Sequence, residues 1–228
     1  MTEPVRAILM DLEGAAVPMT FMTETLTPLA SKRLGGYIAQ HASDPEVEDA
    51  LEEAGRLMGG FSLKLEEAEA LLLRWMKQGR KATPLKIIQG LIWQEGYETG
   101  SIKGELYPDV ADSLKTWASA GLRLFVYSSN SELAQKVLLS HTPSGDLTAL
   151  FEGFFDTSIG QKIEPTSYRA VCERLDLPRE SVLVLSENEE ELDTARSAGL
   201  ATTRIARESQ VDSRHPVCPD FRSLNLGE

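Results

Sequence analysis

The stretch VRAILMDLEG, Val5 to Gly14, decides the fold. Val5 to Met10 is an apolar run interrupted only by Arg6. It is too short for a buried helix, and it ends abruptly at Asp11, Leu12, Glu13 and the turn-favouring Gly14. That pattern predicts a strand that delivers carboxylates to a loop. Towards the C-terminus, strands are predicted again at Leu122 to Tyr127, Gly153 to Asp156, Ser181 to Leu185 and, last, Ala201 to Ile205. Helices are predicted around Leu114 and Trp117, stopped by Gly121, then over Ser131 to Ser140, Thr166 to Leu175, and Glu189 to Ala198, closed by Gly199. Strands and helices alternating through short links predict an α/β fold with a doubly wound parallel sheet, covered on both faces. The tail beyond Arg207 is polar and weakly patterned.

Between Thr23 and Gly100 the spacing becomes helical, as in Leu63, Leu65, Leu71, Leu72, Trp75 and Met76, then Leu85, Ile88, Leu91 and Ile92. Gly35-Gly36, Asp44-Pro45, Gly59-Gly60 and Gly79 punctuate the stretch into about four helices. A length of 228 residues suits a core with a smaller domain inserted into it. We place the core at 1–18 and 104–228 and the helical insertion at 19–103. Trp75, Trp93 and Tyr97 fall among leucines at helical spacing and read as packing residues.

Composition narrows the function classes. The chain is 42% hydrophobic and 25% charged, which is ordinary for a globular protein. A net charge of -12 opposes nonspecific binding to nucleic acid or anionic lipid. No apolar run approaches a membrane span, and the N-terminal segment lacks the pattern of a secretion signal, so a cytoplasmic protein is expected. Cys172 and Cys218 have no partner at disulfide-framework or zinc-ligand spacing. A small anionic substrate remains compatible, provided that a cation, a lysine or helix N-terminal amides supply local positive potential.

In an open parallel sheet, ligands bind beyond the carboxyl ends of the strands. Here those ends carry Asp11 and Glu13, then Ser128, Ser129 and Asn130, then Lys162 ahead of a helix, then Ser186, Glu187 and Asn188. A carboxylate nucleophile, acids for a hard divalent ion, hydroxyls for phosphate oxygens and a lysine for developing charge make up a phosphoryl-transfer set.

These segments, in this order, resemble the haloacid dehalogenase phosphatases: D-L-E-G, Y-S-S, G-Q-K and an acidic loop after the fourth strand. Glu13, with R-K-A-T-P-L-K, I-W-Q-E-G-Y, K-G-E-L-Y-P-D-V, V-Y-S-S-N-S and F-D-T-S-I-G-Q-K, is similar to the acireductone-forming enolase-phosphatases of methionine salvage. The resemblance implies a haloacid dehalogenase-like core with a helical cap and Mg2+ as cofactor. The implied substrate is a small phosphorylated diketone, 2,3-diketo-5-methylthiopentyl-1-phosphate, which is enolised and then dephosphorylated. By position, Asp11 would be nucleophile and metal ligand, and Glu13 would act in proton transfer and at the metal. Glu187 would be the remaining metal acid, and Ser128, Ser129 and Lys162 would hold the phosphate. A monomer or weak homo-oligomer is expected. The residues do not identify the base for the enolisation.

Four positions depart from the family pattern: Ala15 and Ala16 where hydroxyl residues are usual, Asn130 where glycine is usual, and Glu187 where aspartate is usual. They keep two other readings open, a phosphatase of another small ester and a catalytically impaired scaffold that binds without turnover. Arg80, Lys81, Lys86 and Lys103 read first as solvated basic residues on the inserted helices, and as substrate contacts second. His41, His141 and His215 do not cluster in sequence and receive no catalytic role.

Overall fold

The computed structural model describes residues 4–60, 62–207 and 212–226. Its strands are β1 (Ala7–Met10), β2 (Arg123–Tyr127), β3 (Gly153–Phe155), β4 (Val182–Ser186), β5 (Ala201–Ile205) and β6 (Val217–Cys218). They form one sheet in the order β3-β2-β1-β4-β5-β6, and every pairing is parallel. β1 lies inside it, with Met10 level with Val126 of β2 and Leu185 of β4. The strand order reverses between β1 and β4, so the crevice lies beyond the ends of these two strands.

Why both faces must be covered follows from side-chain alternation. Ile8, Met10, Leu124, Val126, Leu183 and Leu185 enter one apolar cluster, and Ala7, Leu9, Phe125, Tyr127, Val182 and Val184 enter another. Helices α5 (Val110–Ser119) and α6 (Glu132–Ser140) cover the first face through Val110, Leu114, Trp117, Val137 and Leu138. Helices α7 (Pro165–Leu175) and α8 (Glu189–Ser197) cover the second through Tyr168, Val171, Leu192 and Ala195.

The chain between β1 and α5 is helical. A wide π-type turn at Phe21–Leu26 leads into α1 (Thr27–Gln40), followed by α2 (Pro45–Leu57), α3 (Leu65–Lys77) and α4 (Thr83–Glu98). Pro28, Pro45 and Pro84 stand in the first turns of α1, α2 and α4, where a missing amide hydrogen costs nothing. Leu34, Ile38, Leu72, Trp75, Ile88 and Ile92 extend the Ile8 cluster into these helices. Trp75 and Trp93 are buried packing residues, and the Trp93 indole N–H donates to the Leu26 carbonyl at 2.8 Å.

Three details differ from the sequence reading. Gly35-Gly36 does not break a helix but lies within α1. At Gly35 a Cβ would come within 2.3–2.5 Å of the Glu69 carboxylate, so the residue is small because α3 is close. Leu63 precedes α3 instead of belonging to it. Ala201–Ile205 is not the last strand, because β6 pairs beside it, with Arg204 N–H donating to Pro216 O and Ala206 N–H to Cys218 O. Residues 1–3 of the expected core, and 208–211 and 227–228 of the weakly patterned tail, lie outside the described residues.

Candidate active site

Asp11 continues the β1 ladder, its N–H donating to Leu185 O at 2.8 Å, and its side chain emerges at the strand-order reversal. Leu12 N–H donates to Asp11 Oδ1 at 2.9 Å. Lys162 Nζ lies 2.8 Å from Asp11 Oδ2 and 2.6 Å from Glu191 Oε2. The Ser186 hydroxyl is 3.3 Å from Asp11 Oδ2 and 3.1 Å from Glu191 Oε2, and it accepts from Asn188 N–H at 3.1 Å. Asp11, Lys162 and Glu191 are all buried, so their charges interact through little solvent.

Burial is the largest influence on Asp11 and pushes its carboxyl up. Lys162 opposes this while Glu191 and Glu13 add to it, and the group settles at about 7. For Lys162 burial disfavours the ammonium, but Asp11 and Glu191 outweigh it and hold the pKa above the ordinary lysine range. Glu191 is also opposed by burial, yet Lys162 keeps it below its ordinary value. The site thus has a cation between two buried acids, with Glu191 held towards its ionised form and Asp11 short of compensating positive charge.

The loop after β2 carries the predicted serines. Ser128 N–H donates to Phe155 O at 3.1 Å, and Ser128 Oγ accepts from Asn130 N–H at 3.0 Å. Ser129 is buried beside it. The N-cap of α6 is Ser131, which accepts from Ala134 N–H at 3.3 Å, so neither Ser128 nor Ser129 is used as the cap. Gln135 ties the loop down by donating to both Asn130 O and Phe155 O at 2.8 Å.

Glu187, at the end of β4, turns towards the nucleophile loop. Gly14 has φ +74°, and a Cβ on it would fall 2.0–2.5 Å from the Glu187 carboxylate. Glycine is therefore demanded twice, by backbone conformation and by contact. Glu13 follows Asp11 by two residues and adds negative potential at both Asp11 and Lys86.

Ala15 and Ala16 carry no hydroxyl, and the loop is held by its backbone instead. Ala15 and Ala16 are fully buried, and the loop is anchored through their carbonyls: Arg207 Nε donates to Ala15 O at 3.0 Å and Tyr107 N–H to Ala16 O at 3.0 Å. Arg207 also pairs with Asp109 at 2.7 Å and stacks over Tyr107 and Phe221. Helix α4 reaches the site as well. Lys86 Nζ donates to Asn130 Oδ1 at 3.2 Å, Ser131 Oγ donates to Lys86 O at 3.3 Å, and Thr83 Oγ1 meets Thr157 Oγ1 at 3.2 Å. Lys86 is thus not a solvated surface lysine, whereas the Arg80 guanidinium lies over the Trp75 ring and the exposed Lys81 stands 4.0 Å from Glu191.

Sequence reasoning missed Glu191 as the partner of Lys162, along with Arg207 as the loop anchor. Glu191 is hidden in a run of three glutamates, although the adjacent buried Leu192 and Ala195 mark the inward face of α8. Among the described residues, no group of three or more His, Cys, Asp or Glu side chains converges as a ready-made metal cage. The donor chemistry nevertheless fits a hard divalent cation. The Glu187 carboxylate lies against Gly14 in the loop that Asp11 opens, and burial together with the charges of Glu191 and Glu13 disfavours an ionised Asp11 unless a cation compensates it. Magnesium usually takes one or two carboxylates and completes its shell with water and phosphate oxygens.

The haloacid dehalogenase-like hydrolase family matches residues 5–199. The enolase-phosphatase E1 of Xanthobacter autotrophicus is 58% identical over 223 residues, covering 98% of this chain and 99% of that protein. That of Parvibaculum lavamentivorans is 46% identical over 209 residues, covering 92% and 89%. Among solved structures, the UTR4 protein of Saccharomyces cerevisiae superposes with a TM-score of 0.75 at 30% identity, covering 96% of this chain and 100% of that one. With identity at this level over nearly the whole length, the chain belongs to the haloacid dehalogenase-like hydrolases and, within them, to the enolase-phosphatase E1 family.

Proposed function

We propose that the protein converts 2,3-diketo-5-methylthiopentyl-1-phosphate into its acireductone and inorganic phosphate, as a magnesium-dependent enzyme of methionine salvage in the cytoplasm. The observation that carries this reading is the buried Asp11 carboxylate 2.8 Å from a lysine that Glu191 also holds. In this reading 1–18 and 104–228 form the core and 19–103 the cap. The described residues contain no helix long and apolar enough to cross a membrane.

Asp11 is the nucleophile: a carboxylate oxygen bonds to phosphorus while the ester P–O bond breaks, and water then cleaves the acyl phosphate to release phosphate and restore Asp11. Lys162 lies against Asp11 and offsets the negative charge that gathers during both steps. Ser128, Ser129 and the adjacent loop amides hold phosphate oxygens. Glu13 moves protons, at carbon in the enolisation and at the leaving oxygen in ester cleavage. Asp11, Glu13 and Glu187 would hold Mg2+, which when bound supplies positive charge to the phosphate and lowers the Asp11 pKa. A complete Asp11, Lys162 and Glu191 arrangement favours turnover over an impaired ligand-binding scaffold.

Incubating purified protein with the diketone phosphate and Mg2+ tests this. Phosphate release together with the ultraviolet absorbance of the acireductone is expected, and both are lost in Asp11→Asn. No turnover at any magnesium concentration overturns the assignment.

A further inference from the structure

Lys86 is a half-buried cation, and the proposed phosphatase step does not use it. Its side chain leaves the first turns of α4 and reaches Asn130 in the loop that carries Ser128 and Ser129. Among the described residues its ammonium makes one hydrogen bond, to the neutral amide oxygen of Asn130, and no ion pair. An ammonium has three N–H donors, so two remain to be satisfied. Burial pulls its pKa below the ordinary lysine range, and the negative charge of Glu13 opposes that shift. A desolvated cation with unused donors is costly unless a ligand supplies oxygen or negative charge.

The direction of that ligand follows from the charges around the site. Lys162 already serves Asp11 and Glu191, where the phosphorus must sit. Lys86 comes from α4 and meets the other side of the loop after β2, at Asn130 and Ser131, so it approaches from the inserted helices and not from the strand ends that carry Asp11. Asn130 fixes it there, and Gly90 lets α4 approach, because a Cβ at that position would lie 2.7 Å from Ser131 Oγ.

We propose that Lys86 is a substrate-binding and specificity-determining residue, whose ammonium takes the carbonyl oxygen next to the phosphate-bearing carbon and holds the charge that develops there on enolisation. The inference rests on the function proposed above and names the group that reads the carbonyl end of the ester. In the step it assists, a C–H bond breaks and its proton passes to Glu13. The electron pair of that bond forms the new C=C bond, and the carbonyl π pair moves to the oxygen facing Lys86. That oxygen then gains a proton, so the enolisation is an isomerisation and needs no oxidant or reductant.

The experiment compares wild type, Lys86→Met and Lys86→Arg on the diketone phosphate and on phenyl phosphate, which has no carbonyl. Solvent deuterium incorporation into the diketone is followed by NMR, and phosphate release is followed for both esters. For Lys86→Met, deuterium incorporation is expected to fall at least 50-fold, and the ratio of diketone to phenyl phosphate turnover at least 20-fold. Lys86→Arg recovers part of both. Equal losses on the two esters, or no loss of deuterium incorporation, overturn the proposal while leaving the phosphatase reading intact. Wild-type protein that cleaves phenyl phosphate but neither exchanges nor cleaves the diketone overturns the parent reading instead. Matching thermal melts of the three proteins exclude misfolding as the source of a loss.

Discussion

Glu191 Oε2 lies 2.6 Å from the Lys162 ammonium, a shorter separation than the 2.8 Å between that ammonium and Asp11. Glu191 therefore shares with Asp11 the task of holding Lys162, and its negative charge also raises the Asp11 pKa. Glu191→Gln keeps the size and removes the charge. Turnover should fall, by roughly 10–100-fold if the loss is like that of other groups that orient a site from behind. In metal-free protein the Asp11 carboxyl should titrate below its wild-type value of about 7. Steady-state kinetics and carbon NMR of labelled aspartate read the two effects. An Asp11 titration that stays put or moves up contradicts the arrangement.

The same carboxyl gives metal-free protein a pH-dependent stability. Asp11 rises from an ordinary 3.8 to about 7 on folding, so the folded state binds its proton more tightly than the unfolded state. The stabilisation is fully present below pH 3.8 and is lost as pH rises through about 7. Asp11→Asn removes this dependence. Compared with wild type in chelator, it should gain on the order of a few kcal/mol at pH 8 and progressively less towards pH 5. Urea denaturation across that range is the measurement. If Mg2+ binds Asp11, adding it to wild type at pH 6 should release protons into a weak buffer, whereas Asp11→Asn should release fewer.

Arg207 binds Ala15 O, pairs with the buried Asp109 and packs between Tyr107 and Phe221. Asp109 also accepts from Phe221 N–H at 2.7 Å, so its carboxylate has a second role and cannot leave. Arg207→Met strands that carboxylate, and breaking such a pair costs roughly 3–5 kcal/mol. The double variant Arg207→Met/Asp109→Asn should recover part of the loss. Chemical denaturation decides, and equal stability of the single and double variants would show that the ion pair is not the source.

Much of the fold was legible because the buried strands are short apolar runs cut off by polar residues. Asp11, Ser128 and Glu187 stood at those cut-offs, so topology places them at one end of the sheet even though they lie far apart in the chain. Other features depend on contacts that periodicity does not carry. β6 has two residues, too few to show alternation, and it is held by hydrogen bonds to β5. Glu191 resembles its acidic neighbours until α8 is seen to turn it inward. Lys86 read as a surface charge because the sequence does not show how closely α4 meets the loop after β2.

Gly14→Ala tests the placement of Glu187. Alanine would have to adopt φ near +74°, and its Cβ would occupy space that the Glu187 carboxylate now fills. The backbone conformation alone costs about 1–2 kcal/mol. Displacement of Glu187 should weaken magnesium binding, measured by calorimetry on protein that still melts cooperatively. Magnesium affinity equal to wild type would mean that Glu187 is not a ligand.

Gly35 and Gly36 separate a packing requirement from a helix break. Both lie within α1, but a Cβ on Gly35 would meet the Glu69 carboxylate at 2.3–2.5 Å, whereas a Cβ on Gly36 meets nothing within 4 Å. Gly36→Ala should therefore stabilise the protein by about 0.5–1 kcal/mol, because alanine loses less backbone entropy in a helix. Gly35→Ala gains the same propensity but must push aside the Glu69 side chain, and should give a smaller gain or a net loss. Adding Glu69→Ala to Gly35→Ala removes the obstruction, so the alanine at position 35 should then stabilise like the one at 36. Urea denaturation of the four proteins decides, and equal effects of the two single alanines would show that α3 does not constrain this stretch of α1.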